Sequence, residues 1–447
     1  MNTITSFRDK LFMPVSSASL GLFRILVGFI LFFQTSSLIS SNFVQEHIFE
    51  SKIRFPFEYF EFLEPLPKDG MRWLLLLMLG ATVFMILGRF FKIATFLYTV
   101  SFTYLWLLDK SYFNNHYYFI TLLGFLLIFT QADSWGALKG KNRRETIPYW
   151  HVYILKLQLL LVLFISGINK INYHWLIDFQ PMKHILETKA AVDGYDWLLN
   201  DFFYIFFTWG GMLLDLLIGF LLWNKRTRKF AITAFILFNL INYWLFHDIG
   251  EIGFFPFLLL ACVSIFLDPL QVKAKLNWIV PQKVKPITKI SETRVVEKIK
   301  KSNIVFGLIV VYFSIQILVP FRHLLYDDHV DWTGEGQRFS WRMKIMYKEV
   351  DMHFYLIEEG KSEKLEVNVG HFLNDKQYTN LMYYPDLVPL VGAYISDEGR
   401  RRNLINPDVV STFYVGFNGR PSQLLFDSTL RINRLSPEKS NWIFSLQ

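Results

Sequence analysis

The sequence predicts an all-α polytopic membrane domain of about nine transmembrane helices. An extracytoplasmic, mostly-β domain with some helix follows it. Three observations carry this. Apolar residues make up 52% of the 447 and charged residues only 19%, a greasier balance than a soluble chain of this length needs. Apolar runs long enough to cross ~30 Å of hydrocarbon recur along the first three quarters. After Pro320 the long runs stop, and short segments alternating apolar with polar residues replace them.

The apolar runs fall at 17–38, 71–88, 91–109, 116–131, 149–170, 202–223, 230–246, 250–267 and 303–320. The first is too long for the core of a signal peptide and lacks a small-residue cleavage site, so it reads as a span. The loops alternate in charge. The 39–70 loop is rich in Glu, whereas 132–148 carries Lys139, Lys141, Arg143 and Arg144. Loop 224–229 reads Asn-Lys-Arg-Thr-Arg-Lys, and a lysine-rich stretch runs from Lys273 to Lys301. Positive charge marks the cytoplasmic side, so the N-terminus lies inside and, after nine spans, the C-terminus outside. The net charge of +8 is thus local to these loops; it implies contact with anionic membrane lipid and gives no reason to expect nucleic acid. The one cysteine, Cys262, excludes an internal disulfide.

The expected division is a membrane domain over 1–320 and a β-rich domain over 321–447. Segments 338–347, 351–358, 364–369, 411–417 and 422–427 read as strands, with turn signals at Glu359-Gly360 and Asn418-Gly419. Segments 374–381 and 384–401 read as helices. Loop 171–201 has room for an amphipathic helix on the outer membrane surface.

Charges within spans are expensive and usually paired. Counted from the inner helix ends, Arg24, Lys156 and Asp215 share a depth of roughly 10–12 Å at the helical rise. This predicts Asp215 as counter-ion of Arg24, Lys156 or both, with Gly210-Gly211 beside it suiting close helix packing. The outer mouths differ. Asn114-Asn115-His116, Gly167 to Lys170 with Asn169 between, Asn239, Asn242 and His247 all fall in the outer half. A lone lysine at a helix end is usually an anchor that snorkels to water. A lone histidine is usually a satisfied interface residue. Their convergence beside apolar walls points to chemistry, because burial favours an uncharged lysine that can act as a base. No metal-ligand set has suitable spacing, and GxGxxG, P-loop, HExxH and GxSxG motifs are all missing.

Leu108-Asp109-Lys110 followed by Asn114-Asn115-His116, with Gly167-Ile168-Asn169-Lys170 and Trp175, resembles the vitamin K-dependent γ-glutamyl carboxylases and their horizontally transferred transmembrane (HTTM) domain. Ser19 to Arg24, Glu64-Pro65-Leu66-Pro67, Gly210-Gly211 through Asp215, and Asn418-Gly419-Arg420 with Asp427 match as well. The run Glu335 to Met343 resembles the bacterial branch's Glu-Gly-His-Arg-Phe-Ser-Trp-Arg-Met. The resemblance implies an enzyme of the bacterial cytoplasmic membrane. It would oxidise reduced vitamin K, of menaquinol or phylloquinol type, with O2 to the epoxide. The strong base so formed would let a peptide glutamate capture CO2 as γ-carboxyglutamate, with no metal. Lys170 matches the initiating base, and Asn114, Asn115 and His116 the reaction chamber. Gly167, Asn169, Asn239, Asn242 and His247 are the expected pocket residues. Two positions depart from the family pattern: Asn239, where a histidine is frequent, and Leu163, where a tyrosine is frequent. A membrane quinone- or lipid-binding protein, a quinol epoxidase without carboxylation, and a non-catalytic module presenting the β domain are the alternatives.

Overall fold

The computed structural model describes residues 6–138, 144–247, 252–276, 292–437 and 439–447. In hydrocarbon every backbone polar group needs an internal partner, so the apolar runs form helices. These are α1 (Ala18–Ser40), α2 (Lys68–Leu87), α3 (Phe91–Leu107), α4 (Asn115–Phe129), α5 (Trp150–Asn169), α6 (Asp201–Trp223), α7 (Arg228–Phe246), α8 (Phe255–Val263) and α9 (Glu292–Leu318).

Each predicted interval thus holds a helix, but nine full spans are not found among the described residues. Among the described residues six helices are long and apolar enough to cross a membrane: α1, α2, α5, α6, α7 and Ser302–Leu325. A seventh arises if α8, continued to Phe266, is joined across a 104° bend to Pro269–Leu276. Helices α3 and α4 have 17 and 15 residues. Their hairpin is cut short by its own polar mouth. The Asp109 carboxylate accepts from Ser111 N at 2.8 Å and from Phe55 N at 3.2 Å, fixing a tight turn where the apolar count suggested more helix.

The N-terminal arm, the end of α2 and the start of α5 meet at one face. Tyr149 N donates to Met13 O and Leu138 N to Leu87 O. A two-stranded antiparallel ribbon that the sequence did not announce, β1 (Pro14–Ser16) with β2 (Thr146–Pro148), lies there too. Lys139, Lys141 and Arg143, and the basic stretch from Lys283 to Lys289, lie outside the described residues.

Arg24 belongs to this face and is fully buried. Its guanidinium donates to four carbonyls: Met85 (2.9 Å), Ile86 (3.0 Å), Trp135 (3.3 Å) and Gly136 (2.9 Å). It therefore binds two carbonyls at the C-terminal end of α2 and two of the Trp135-Gly136 turn rather than a carboxylate. Gly88 ends α2 with φ +66°, and a Cβ there would lie 2.1 Å from Arg24 Nη1. Lys156 is also not paired with Asp215; its ammonium stands over the Phe266 ring, 4.8 Å from the centroid.

The C-terminal region holds one antiparallel sheet in the order β4-β3-β5-β6, from β3 (Lys348–Ile357), β4 (Lys364–Val367), β5 (Asp408–Phe417) and β6 (Gln423–Leu424). Helices α10 (Asp375–Tyr383) and α11 (Val388–Arg401) accompany it. Val388, Val391 and Ile395 of α11 share a core with Val409 and Phe413 of β5. The region is a mixed sheet-and-helix layer, less β-rich than predicted. Segment 338–347 is not a strand. It is irregular, with Phe339, Trp341 and Lys344 at φ of +64°, +58° and +51°. Its alternation arises because its apolar side chains pack into the membrane helices: Trp341 is fully buried in the helical core. In return the α1–α2 loop reaches the other way, and Ile53 and Phe55 sit in the C-terminal core with Trp332.

The predicted helix in loop 171–201 is present as Met182–Asp193, with Met182 and Leu186 packed in a cluster with Trp175.

Candidate active site

Helix α5 ends at Asn169, with Lys170 as its C-cap, and the chain turns at once into a short helix capped by Asn172, whose Oδ1 accepts from Trp175 N at 3.0 Å. That turn swings Trp175 back beneath Lys170, whose ammonium stands 5.3 Å from the indole centroid. Trp175 Nε1 is fixed by Thr208 O at 2.8 Å. Gly167 lies against α6 so closely that a Cβ would come within 2.8 Å of Leu216 N.

These contacts put the end of α5 level with the middle of α6, not with its N-terminal end. Lys170 Nζ consequently meets the Asp215 carboxylate, and Ser166 Oγ donates to the same oxygen at 3.2 Å. The two side chains are 9% and 4% exposed. The expected pairing of Asp215 with Arg24 or Lys156 is thereby corrected. Counting depth from the inner ends assumed that α5 and α6 start and stop together, whereas α6 rises well past the end of α5.

The Asn-Asn-His motif divides its work. Asn114 caps α4, its Oδ1 accepting from His116 N at 2.7 Å. Asn115 Nδ2 donates to Arg342 O at 3.1 Å. The His116 ring stacks on Phe255, centroids 3.9 Å apart and planes 9° apart. Asn169 bonds to the same C-terminal run: its Nδ2 donates to Ser340 O at 2.8 Å, and its Oδ1 accepts from Arg342 at 3.2 Å. Arg342 is held in turn by Asp331 at 2.8 and 2.5 Å. The Glu335 to Met343 run is thus stapled across the mouths of α4 and α5.

Two cavities flank His116. One, of about 400 Å³, is lined mainly by apolar side chains of α6, α7 and α8, with Lys170, Asp215, Ser166, Asn239, Asn242, Met343 and Lys344. The other, of about 440 Å³, is lined by Gln34, Ser37, His47, Tyr112, Asn114, Asp375, Lys376 and Thr379 among apolar residues, and reaches the C-terminal helix α10. His116, Ile252 and Phe255 line both and form the partition.

Of the expected pocket residues, Asn239 and Asn242 line the first cavity. Gly167 and Asn169 are spent on packing and on the staple, and His247 lies exposed beside Tyr243. Asn239 is buried, and its Nδ2 is used by Phe235 O of its own helix at 2.8 Å. Asp215, expected only as a structural counter-ion, lines the first cavity beside Lys170; sequence reasoning missed Met343 and Lys344, whose segment read as a strand. Among the described residues no group of three or more His, Cys, Asp or Glu side chains could hold a metal ion.

Fold and site together define a multi-pass membrane protein with a buried lysine–carboxylate pair in a largely apolar chamber. The family model of the HTTM domain matches residues 12–270, and that of the vitamin K-dependent gamma-carboxylase lumenal domain matches residues 301–447. The chain belongs to the vitamin K-dependent gamma-glutamyl carboxylase family. No solved structure matches it.

Proposed function

We propose that this protein is a vitamin K-dependent γ-glutamyl carboxylase of the bacterial cytoplasmic membrane, with its N-terminus inside and its C-terminal region outside. In this reading it oxidises a vitamin K-type quinol with O2 to the epoxide and couples that to carboxylation of a peptide glutamate by CO2. The observation that carries the reading is the shared wall at His116. On one side lies an apolar chamber with a base, and on the other a more polar chamber open toward the C-terminal region.

The residues present fit a quinol. The first cavity offers flat apolar walls, and Gly210 and Gly211 have nothing within 4 Å of where a Cβ would stand. The Lys170–Asp215 pair does the opening proton transfer. Lys170 accepts the hydroxyl proton of the quinol as it passes its own to Asp215. The substrate's negative charge then forms beside an ammonium, and the extra proton rests on a buried carboxylate. Ser166 keeps that carboxylate aimed at Lys170, and Trp175 faces the ammonium whenever it is charged. Apolar walls keep water from the strongly basic species the quinol supplies after oxygenation. His116, lining both cavities, is the group placed to serve the glutamate and CO2 while facing the quinol chamber.

A lysine that served only as an anchor would tolerate arginine; a lysine that cycles its proton would not, since arginine holds its own. Lys170→Arg and Lys170→Ala are therefore expected to abolish vitamin K epoxide formation in inserted, folded protein. Full activity of Lys170→Arg would return the residue to the anchor role.

A second reading, quinol epoxidation without carboxylation, is favoured by two features of the first cavity. Leu163 lines it where the family often has a tyrosine, and Asn239, where a histidine is frequent, has its amide nitrogen committed to Phe235 O. Measuring epoxide with and without a Glu peptide, together with CO2 incorporation, separates the two readings.

A further inference from the structure

A third cavity, of about 320 Å³, lies where the end of α3, the end of α9 and the C-terminal region meet, and it shares no lining residue with the two at His116. Its charged wall is unbalanced. Lys110, 4% exposed, and Arg338 share one carboxylate, that of Asp386. Lys110 Nζ and Arg338 Nη1 each stand 2.9 Å from Oδ2, and Arg338 Nη2 donates to Oδ1 at 3.3 Å. Arg322 adds a further positive charge; its guanidinium donates to the carbonyls of Val319, at 3.1 Å, and Arg338. Of the other charged side chains on the wall, Glu58 and Lys439 are exposed, and Glu335 Oε1 accepts from Ser440 N at 3.2 Å. Two donors are left over. Among the described residues Arg338 Nε and Trp442 Nε1 are buried without a hydrogen-bond partner, and both residues line the cavity. Buried donors in that condition are rare and costly, and an anion answers both.

The cavity lies at the end of a membrane helix. Leu308, Val311, Ile315 and Leu318 of α9 are all half or more exposed. Their spacing of three and four residues makes them one apolar stripe along the span Ser302–Leu325. Arg322 stands one turn beyond Leu318, at the stripe's C-terminal end. Tyr59, Phe60 and Tyr326, all exposed, rim the cavity beside it. Tyrosines at the end of a span mark the headgroup level of a bilayer. A molecule that matches both features carries hydrocarbon chains along the helix and an anionic group at its end. Guanidinium forks suit the oxygens of a phosphate.

We infer that this cavity holds the phosphate of a membrane phospholipid, with Arg338, Arg322 and Trp442 as donors and the acyl chains along the α9 stripe. The charged groups around it come from separate parts of the chain. Lys110 belongs to the α3–α4 turn and Arg322 to the end of α9. Arg338 belongs to the run stapled across the mouths of α4 and α5, and Asp386 and Trp442 to the C-terminal region. A headgroup seated among them fastens the C-terminal region to the membrane helices. The site is one of structural lipid, independent of the quinol chemistry.

The test uses the full-length protein, stripped of lipid in detergent, and follows its thermal midpoint as dioleoylphosphatidylglycerol is added. A saturable rise is expected, since a ligand of the folded state stabilises it. Dioleoylglycerol, with the same chains and no phosphate, should give none, and neither should inorganic phosphate, which has no chains. Arg322→Gln is expected to raise the lipid concentration at half-saturation by at least about tenfold, the worth of one hydrogen bond to a charged group. Trp442→Phe keeps the ring against Phe426, 5.2 Å between centroids, and removes only the Nε1 donor. It should raise half-saturation about threefold, which keeps the test open should the Arg322 variant not fold. Lys68→Gln with Arg72→Gln, at a basic cavity between α1 and α2, should leave half-saturation at the wild-type value. A shift with inorganic phosphate alone would assign the cavity to free anions, and one with dioleoylglycerol to hydrocarbon; either overturns the headgroup site. Half-saturation unchanged in Arg322→Gln, or in Trp442→Phe where the former does not fold, overturns it as well. So does an equal change in the Lys68 and Arg72 control.

Discussion

Replacing Asp215 by asparagine isolates the central contact. The Lys170 and Asp215 side chains are 9% and 4% exposed, so neither is screened by water. Asparagine keeps the shape and the Ser166 contact but leaves a buried ammonium with only the Trp175 ring for compensation. Breaking a buried pair from one side costs ~3–5 kcal/mol. Removing both charges together, as Lys170→Met with Asp215→Leu, should be close to neutral for the same reason. The expected coupling in a double-mutant cycle is therefore at least ~2 kcal/mol. The assay is the thermal midpoint in detergent for wild type, the two single variants and the double variant, alongside epoxide formation. Asp215→Asn should also lower epoxidation by ~100-fold or more, because the proton leaving the quinol loses its destination. Wild-type midpoint and wild-type epoxidation in Asp215→Asn would refute the pair as a working unit. Strict additivity in the cycle would refute it as a structural one.

Other outcomes follow from the same geometry. His116→Ala should impair carboxylation more than epoxidation, and equal loss of both products would reject its place on the glutamate side. In a Cys262→Ala background, Ser362→Cys should react with an impermeant label from outside and Ser291→Cys should not; the reverse pattern would invert the orientation. Burial lowers the Lys348 ammonium from 10.5 to about 7 against the opposing pull of Asp331 and Asp386, while its nitrogen donates to Trp332 O and Tyr383 O, each at 2.9 Å. The native protein then binds fewer protons than the unfolded chain between those values, so stability should rise with pH from about 7 toward 10.5. Lys348→Met should flatten that slope in thermal midpoints, and an unchanged slope would argue against it.

The helices were legible because lipid forces long apolar runs into one structure, and nothing competes with that signal. Lys170 and His116 were legible as neighbours because both sit at helix ends, where topology alone fixes the level. What could not be read was offset. Asp215 lies mid-helix, and its partner depends on how far α6 slides past α5, which is set by Gly167 against Leu216 and Trp175 against Thr208. Segment 338–347 was misread for a related reason. Alternation reports one buried face and says nothing of what buries it, and here membrane helices do so in place of a sheet. The glycine pair at 210 and 211 has the same sequence signature as a packing pair. Only the empty space opposite distinguishes the two.

The staple of Asn115 and Asn169 onto Ser340 and Arg342 has a consequence for biogenesis. The helix ends that carry Lys170 and His116 emerge early in synthesis, while the run that closes over them is made more than 160 residues after Asn169. That run must be made and folded back before the chamber has a roof. A nascent or truncated chain can thus hold its lysine–carboxylate pair without being able to shelter a strongly basic intermediate. On the proposed function, the order of translation itself would delay the hazardous chemistry until the protein is whole.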